Sequence, residues 1–222
     1  EYLRAIAAQH SRIRPLAIRR EGDYQNAALS PRFSSALALR TSFYAQEDAW
    51  QRYVASEDLP FFAAAMPEDA LFPALLYQLR RMSPGEIAQL ADLSEGLEHR
   101  IAAAARQAKS QAELWVLCKS KRYPLARIKR ILLYALLGLT RQKAQELEAA
   151  PLYARVLGVK KESRPLLSLL ARHSRIPVYP PVPREPENPL LALDFWASDL
   201  YAAAMSPLRP AGRDYTEPLI VL

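Results

Sequence analysis

The sequence predicts a mainly α-helical protein that begins with a fragment of an α/β domain and ends with a proline-rich arm and a last helix. Three observations predict this class. Segments rich in Ala and Leu follow one another with helical spacing, only 6 of the 222 residues are Gly, and many of the 18 Pro stand at segment starts or between segments. With a hydrophobic content of 50%, the chain can bury one dominant core.

The first forty residues combine helical, β-prone and loop-like stretches. Residues 1–10 have the spacing of the middle of an amphipathic helix, and "IRPLAI" at 13–18 is β-prone. "REGDYQNAALSPRF" then has the Gly, Asp, Asn and Pro of a loop. This order is typical of a β-α fragment, so residues 1–40 are expected to belong to an α/β domain.

Helical spacing begins at "SSALALR" and continues to residue 172. The predicted helices lie near 34–45, 46–55, 58–65, 69–80, 84–92, 94–107, 110–118, 124–138, 141–149, 151–157 and 162–172. Six Pro within 177–189 predict an extended, semi-rigid arm. "LLALDFWASDLYAAAM" predicts a final helix, and "EPLIVL" is β-prone. We therefore expect a helical domain at 41–176, and at 177–222 an arm whose terminal helix packs on the body.

The composition excludes several classes of site. A single cysteine, Cys118, cannot form an internal disulfide framework or a cysteine-rich zinc site. The histidines, His10, His99 and His173, lie far apart and lack metal-ligand spacing, so no metal site is predicted. No apolar run reaches the roughly 18–20 residues of a membrane span, and the first residues resemble no signal peptide. The expected location is the cytoplasm.

The net charge of +7 is concentrated in one part of the sequence. Eight Lys and Arg and no acid lie between Glu113 and Glu146; without those eight, the chain has 22 Lys and Arg against 23 Asp and Glu. Six of the eight stand in "KSKRYPLARIKR" at 119–130, called here the basic window. This confined charge predicts an anionic partner rather than a generally basic surface.

The basic window borders a strongly apolar helix that would hold it in place. A helix starting near Pro124 places six apolar residues on one stripe: Ile128, Ile131, Leu132, Ala135, Leu136 and Leu139. Arg127, Arg130 and Tyr134 then share another face, and the preceding loop lies near a helix N-terminus that favours anions. Guanidinium groups pair with phosphates and a tyrosine can stack on a base, so RNA is a suitable ligand. The candidate RNA-binding residues are Lys119, Lys121, Arg122, Tyr123, Arg127, Lys129 and Arg130.

Two other interpretations of the basic window stay open at this point. The cations can form a solvated face, or the arginines can pair with acids of another helix. A separate candidate, Glu95 with Glu98, fits either paired catalytic carboxylates or, far more often, an acidic first turn of a helix. Since the chain has no Ser/His/Asp set, glycine-rich phosphate loop or His-x-Gly-His signature, no catalytic residue is predicted.

Several motifs in order resemble a known family. They are "IRPLAIRREGDY", "SSALALR", "SEGLEHRI", "KSKRYPLARIKRILLYALLGL", "YARVLGVKKESRPLL", "FWASDLYA" and "EPLIVL". Together they resemble the latter half of the bacterial tRNA(Met) cytidine acetate ligases, which belong to the HIGH-type nucleotidyltransferases. The resemblance runs from Glu1 to Leu222, and its most specific part is the pair "EGLE-x-R" and "K-x-KRY-x-x-x-R-I-x-R".

The resemblance implies an enzyme that activates acetate with ATP to acetyl-adenylate and acetylates N4 of the wobble cytidine of elongator tRNA(Met). It implies tRNA, ATP and acetate as partners, with magnesium as an optional companion of ATP and no membrane. The family's His-x-Gly-His-like motif would precede Glu1, so residues 1–40 would be the remnant of an α/β nucleotidyltransferase domain. The chain alone is expected to be inactive.

A few residues of this remnant resemble nucleotide contacts of the family. Arg20 matches by position a residue that contacts ATP, and its neighbour Glu21 replaces an apolar residue common there. Ser34, Ser35 and Arg40 resemble the degenerate "I-S-[ST]-x-x-x-R" phosphate segment, although its Ile and Thr are missing here. The simpler interpretation of "SSALALR" is a Ser N-cap followed by a helix.

Three classes of function remain to be distinguished. A part of the ligase needs its other half to bind ATP, a stand-alone helical RNA-binding module binds tRNA unaided, and a helical scaffold binds neither. The absence of an initiator Met favours the first. The sequence predicts no oligomeric state.

Overall fold

The computed structural model describes residues 2–62, 69–94, 96–180 and 182–222. It contains two compact units, Glu1–Ala63 and Ala64–Leu222. The described part is mainly helical, as predicted, and also contains short parallel strands. The predicted domain boundaries at residues 40 and 176 differ from this division into two compact units, and they stay a prediction.

Among its described residues, the first unit has two α-helices and two 3₁₀ helices. They are α1 (Tyr2–Ala8), α2 (Ala36–Tyr44) and the 3₁₀ helices Gln51–Tyr53 and Ser56–Phe62. The ring of Trp50 lies 5.2 Å from that of Phe43 and 5.2 Å from that of Phe62, centroid to centroid. The structure thus has short 3₁₀ helices where α-helices were predicted at 46–55 and 58–65. Residues 63–65 of the second prediction lie outside the described residues.

The β-prone run at 13–18 forms no strand. Its apolar side chains are exposed, Ile13 at 68%, Leu16 at 86% and Ile18 at 85%. Its backbone pairs with no other described segment. A strand is stable only when a neighbouring strand completes its hydrogen bonds, so β-propensity alone does not produce one here.

The second unit contains nine α-helices and four short strands among its described residues. The helices are α3 (Phe72–Arg81), α4 (Pro84–Ala88), α5 (Leu97–Gln107), α6 (Gln111–Cys118), α7 (Leu125–Leu137), α8 (Arg141–Glu148), α9 (Leu166–His173), α10 (Pro189–Ala203) and α11 (Arg213–Thr216). The strands are β1 (Ala154–Arg155), β2 (Gly158–Val159), β3 (Val178–Tyr179) and β4 (Ile220–Val221), and a 3₁₀ helix spans Lys161–Ser163.

The main core lies between α3, α4, α5, α6 and α7. The predicted stripe of α7 is confirmed: Ile128 and Ile131 are fully buried, Leu132 and Ala135 nearly so, and Leu136 is partly buried. Each fully buried Leu or Ile contributes about 1.5–3 kcal/mol of transfer free energy, which makes α7 a firm support. The helix ends at Gly138, whose φ of 60° is the left-handed conformation that glycine adopts at little cost.

The C-terminal segments form two parallel strand pairs. β1 pairs with β3 of the proline-rich arm, and β2 pairs with β4, the predicted β-prone end. The helix predicted at 151–157 is therefore wrong: Ala154 and Arg155 pair with Val178 and Tyr179, and the Val156 N–H donates to the Tyr179 carbonyl. The β-formers Tyr153 and Val156 flank this short strand. The final helix is confirmed as α10, capped by Asn188, whose Oδ1 accepts from the Leu190 N–H at 2.9 Å.

None of the helices in the described ranges combines the length and apolarity needed to cross a bilayer.

Candidate nucleic-acid interface

Three cations of the basic window lie on the loop between α6 and α7. Cys118 at the end of α6 is 0% exposed and Tyr123 before α7 is 6% exposed, so the loop is anchored in the core at both ends. Lys119, Lys121 and Arg122 between these anchors are exposed, and none of them forms an ion pair with another described residue. We call these three the basic loop.

The ring of Tyr123 contacts two guanidinium groups of the basic window. The guanidinium carbon of Arg122 lies 5.7 Å from the centre of its ring, and that of Arg127 lies 5.4 Å from it. At 6% exposure, the ring has no open face on which an RNA base could stack. The stacking role predicted for Tyr123 does not fit this placement, since a tyrosine here holds two guanidinium groups by cation–π attraction instead.

Arg127 and Arg130 share one carboxylate, that of Asp92. Nη2 of Arg127 lies 3.1 Å from Oδ1 of Asp92, and Nη2 of Arg130 lies 2.6 Å from Oδ2. The hydrogen bond to Asp92, together with its negative charge, raises the pKa of the Arg130 guanidinium. Of the open interpretations, these two arginines therefore come nearest to pairing with acids of another helix, although Asp92 lies in the turn between α4 and α5. One negative charge faces two positive ones, so the group keeps a charge of +1.

The turn that carries Asp92 is cross-linked to α7 and α8. Asp92 adopts a left-handed backbone with φ of 59°, which Asp tolerates better than most residues. Arg127 Nη2 also donates to the Asp92 carbonyl at 2.8 Å and to Ser94 Oγ at 2.9 Å, and Arg141 donates to the Leu93 carbonyl at 3.3 Å. Nothing in the sequence around Asp92 indicates this role.

Lys129 also contacts another side chain. Its Nζ lies 3.6 Å from the centre of the Trp115 ring of α6. The seven candidate RNA-binding residues therefore fall into three groups: an exposed basic loop, three cations held by neighbours (Arg127, Lys129 and Arg130), and one buried tyrosine.

Glu98 lies in the first turn of α5, as the interpretation of an acidic first helical turn expects. Glu98 Oε1 accepts from the Gly96 N–H at 3.2 Å, and the Glu98 side chain is mostly buried. Glu95 lies outside the described residues, so the predicted carboxylate pair has only one described member. His99 is exposed at the surface.

The nucleotide candidates of the first unit are held by local contacts. The Arg20 guanidinium lies 4.9 Å from the Tyr24 ring, and Glu21 pairs with Arg32 at 3.6 Å. Arg40 is exposed on α2.

The two serines of "SSALALR" use their hydroxyls within the chain. Ser34 Oγ accepts from the Ser30 N–H at 2.8 Å. Ser35 Oγ donates to the Asn26 carbonyl and accepts from the Ala38 N–H at 3.0 Å, which confirms the N-cap interpretation. Their predicted contacts with phosphate stay predictions.

In the ranges the structure describes, no three His, Cys, Asp or Glu side chains come together closely enough to hold a metal ion.

The sequence pattern of the HIGH Nucleotidyl Transferase family matches residues 1–215 of the chain. The chain belongs to this family. It is also similar along its length to curated proteins named tRNA(Met) cytidine acetate ligase: 32% identical to that of Clostridium kluyveri, 30% to that of Acetivibrio thermocellus and 29% to that of Thermoanaerobacter sp. (strain X514). All of this chain is covered in each case, against 56%, 59% and 58% of the relative.

Two crystal structures of Thermotoga maritima TmcAL have the same fold. The apo form aligns with a TM-score of 0.82 at 24% identity, and the form bound with alpha-thio ATP with 0.76 at 22%. Each covers all of this chain and 58% or 57% of the other. The HIGH nucleotidyltransferase chain thus spans a little over half the length of the relatives it matches.

The fold brings the two most specific motifs of the resemblance together. Arg100, the last residue of "EGLEHR", lies on α5, which packs against α6. Burial raises the pKa of the Cys118 thiol, which directly precedes the basic loop, and the positive charge of Arg100 opposes this effect. Arg100 and Asp92 are the residues near this site that the sequence alone did not indicate, although membership of a shared motif was a signal for Arg100.

Proposed function

We propose that this chain supplies tRNA binding to a ligase that activates acetate with ATP and acetylates N4 of the wobble cytidine of elongator tRNA(Met). The names of the relatives support the substrate, and the TmcAL structure bound with alpha-thio ATP supports a nucleotide. The observation that carries the RNA role is the basic loop: three exposed cations held between two buried anchors, Cys118 and Tyr123.

The basic loop suits phosphate binding because it is fixed but not neutralised. Each phosphate contact releases condensed counterions, which makes RNA binding favourable and dependent on salt. Arg127 and Arg130 on α7 add further positive charge, because with Asp92 they keep a net charge of +1. Their ion pairs with Asp92 also fix the orientation of their remaining N–H groups. Held guanidinium groups lose less conformational entropy on binding than free ones.

The chemistry requires no nucleophile from this chain. In the proposed reaction, an acetate oxygen attacks the α-phosphorus of ATP and pyrophosphate leaves, giving the mixed anhydride acetyl-adenylate. The cytidine N4 amine then attacks the acetyl carbon, and AMP leaves with loss of a proton. Cys118 fits no covalent relay, because it is fully buried and burial raises the pKa of its thiol to about 11.

ATP is bound mainly by another part of the longer protein in this proposal. Arg20 and Arg40 are exposed and available to an anion, and Glu21 follows Arg20 in the sequence. The Ser34 and Ser35 hydroxyls already have partners within the chain. Membership of the HIGH nucleotidyltransferase family supports a nucleotide site, of which this chain supplies a secondary share in the proposal.

Two assays of the full-length protein separate activation of acetate from RNA binding. Acetate-dependent exchange of pyrophosphate into ATP reports acetyl-adenylate formation, and mass spectrometry of tRNA nucleosides reports N4-acetylcytidine. Replacing Lys119, Lys121 and Arg122 by Gln should leave the exchange rate unchanged and raise the KM for tRNA at least tenfold.

A matched control replaces Arg106 and Lys109, which are exposed cations at the α5–α6 connection. It should behave as the unmodified protein in both assays. If the basic-loop variant acetylates tRNA with an unchanged KM, the proposed RNA role is wrong; if the unmodified protein shows no acetate-dependent exchange, the proposed reaction is wrong.

A further inference from the structure

A second concentration of positive charge follows the basic window. Residues 155–184 contain seven Lys and Arg and a single acid, Glu162. Outside the interval between Glu113 and Glu146, the chain has 22 Lys and Arg and 23 Asp and Glu, so its net charge there is close to zero. That near-zero sum hides the local excess of positive charge at 155–184.

Five of these cations lie on one continuous stretch of the second unit. Lys160 follows β2, Lys161 begins the 3₁₀ helix, Arg164 precedes α9, Arg172 lies in its last turn and Arg175 follows it. All five are exposed, and none of their side chains pairs with any residue for which the structure gives a position.

The other two cations of this stretch have partners. Arg155 pairs with Asp214 and also donates to its carbonyl, and Arg184 lies over the Tyr215 ring at 5.7 Å. The contrast separates cations that hold the fold together from cations that face solvent.

The backbone beneath the five cations is tied to the rest of the unit. β2 pairs with β4, and the Lys161 N–H donates to the Leu222 carbonyl at 2.8 Å. α9 contacts β3, which in turn pairs with β1. The charges are therefore displayed by ordered elements and not by a free tail.

The same stretch also exposes an apolar stripe. Leu166, Leu169 and Leu170 of α9 are 53%, 52% and 46% exposed, and they share a helix face at i, i+3 and i+4 spacing. A contiguous apolar patch rimmed by charges marks an interaction surface more often than chance exposure. Cations flank this stripe along the chain, with Arg164 before α9, Arg172 in its last turn and Arg175 after it. A suitable partner is therefore anionic and presents apolar faces as well.

We propose that Lys160, Lys161, Arg164, Arg172 and Arg175 form a second tRNA-binding surface, with the α9 leucines packing against unstacked bases or riboses. This inference rests on the proposed function and extends it to a second set of contacts. A folded tRNA presents phosphates over a large surface, and each further contact adds to affinity and to its salt dependence. Exposed base faces supply the apolar contact.

The observations favour RNA over an anionic membrane. The cations come from a loop, a 3₁₀ helix and both ends of α9, whereas a surface-bound membrane helix carries its cations along its own polar face. The eight residues of α9 span only about 12 Å. The first basic loop, on the same compact unit, serves the same kind of partner in the proposed function.

The test compares three sets of Gln substitutions in the full-length protein: Lys160, Lys161 and Arg164 for the second surface, Lys119, Lys121 and Arg122 for the basic loop, and Arg106 and Lys109 as control. Filter binding of an elongator tRNA(Met) transcript is measured at several salt concentrations. Because each lost phosphate contact reduces the slope of log affinity against log salt by about 0.7–0.9, the second-surface set should reduce it by about 2–2.7. The control should leave the slope unchanged, and thermal melting verifies that every variant is folded.

The outcomes separate this inference from the proposed function. If only the basic-loop set changes the slope, the second surface does not bind tRNA and the proposed function stands; if neither set changes it, both fail. Vesicles containing phosphatidylserine are tested in parallel. Vesicle binding that the second-surface set abolishes, with an unchanged tRNA slope, would overturn the inference in favour of a membrane.

Discussion

Replacement of Asp92 by Asn tests how the two fixed arginines work. Asn keeps the size of the side chain and tolerates the left-handed backbone that Asp92 adopts. It removes the charge that Arg127 and Arg130 share at 3.1 and 2.6 Å. The group then changes from a net charge of +1 to +2 while both arginines remain in place.

The structure sets the size of both effects. The three side chains are between 31% and 54% exposed, so solvent screens each pair to about 0.2–1 kcal/mol. Losing two such pairs should cost about 0.5–2 kcal/mol of unfolding free energy, and about 2–4 °C in Tm for each kcal/mol. One additional uncompensated charge should make tRNA binding tighter and the salt slope steeper by about 0.7–0.9.

Thermal melting and filter binding of tRNA at several salt concentrations measure the two effects on the same samples. Asp58→Asn is the control, since it removes an exposed acid from a 3₁₀ helix of the first unit. Weaker binding by Asp92→Asn with an unchanged slope would refute the reasoning. It would mean that Arg127 and Arg130 only join α7 to the 92–94 turn.

Three further predictions concern stability. Burial raises the pKa of the Cys118 thiol from 9.0 to about 11. The unfolded state therefore loses its proton first, and stability should fall by up to about 3 kcal/mol as pH rises from about 9 to 11. Cys118→Ala should remove this dependence in urea titrations, and an unaltered pH profile would contradict the assignment. Ser35→Ala removes the N-cap of α2 and should cost about 0.5–2 kcal/mol in the same titrations, so an unchanged midpoint would count against the cap. Gly212→Ala should cost about 1–3 kcal/mol of unfolding free energy, because φ is 78° and the added Cβ meets the Tyr215 ring. Gly85→Ala in α4, where the added Cβ makes only an ordinary contact with Ser83 Oγ at 3.9 Å, is the matched control and should be neutral or stabilising.

The helical part of the fold follows from sequence because its signals are local. The α7 stripe and the Ser35 cap are set by spacing within one segment, so both were predictable. The strands at 154–159 were not, since their partners come from beyond residue 177 and no local pattern specifies such pairing. The strand predicted from the β-prone run at 13–18 is absent for the opposite reason. Its residues have strong β-propensity, but no other described segment pairs with their backbone.

The candidate site was predictable in position but not in internal arrangement. The density of Lys and Arg located the basic loop, and Lys119, Lys121 and Arg122 are exposed there. The sequence could not show that Tyr123 faces the core or that Asp92, more than thirty residues from Arg127, lies beside it. Both depend on how α5, α6 and α7 pack, which is a property of the tertiary structure.

The salt dependence of tRNA binding by the basic-loop variant tests the central claim most directly. With Lys119, Lys121 and Arg122 replaced by Gln, the slope of log affinity against log salt should fall by about 2–2.7. The melting temperature should fall by no more than about 2–4 °C, because all three side chains are exposed and the lost Arg122–Tyr123 contact is weak. A variant that melts normally and binds elongator tRNA(Met) with the slope of the unmodified protein would contradict the claim that this loop is an RNA-binding surface.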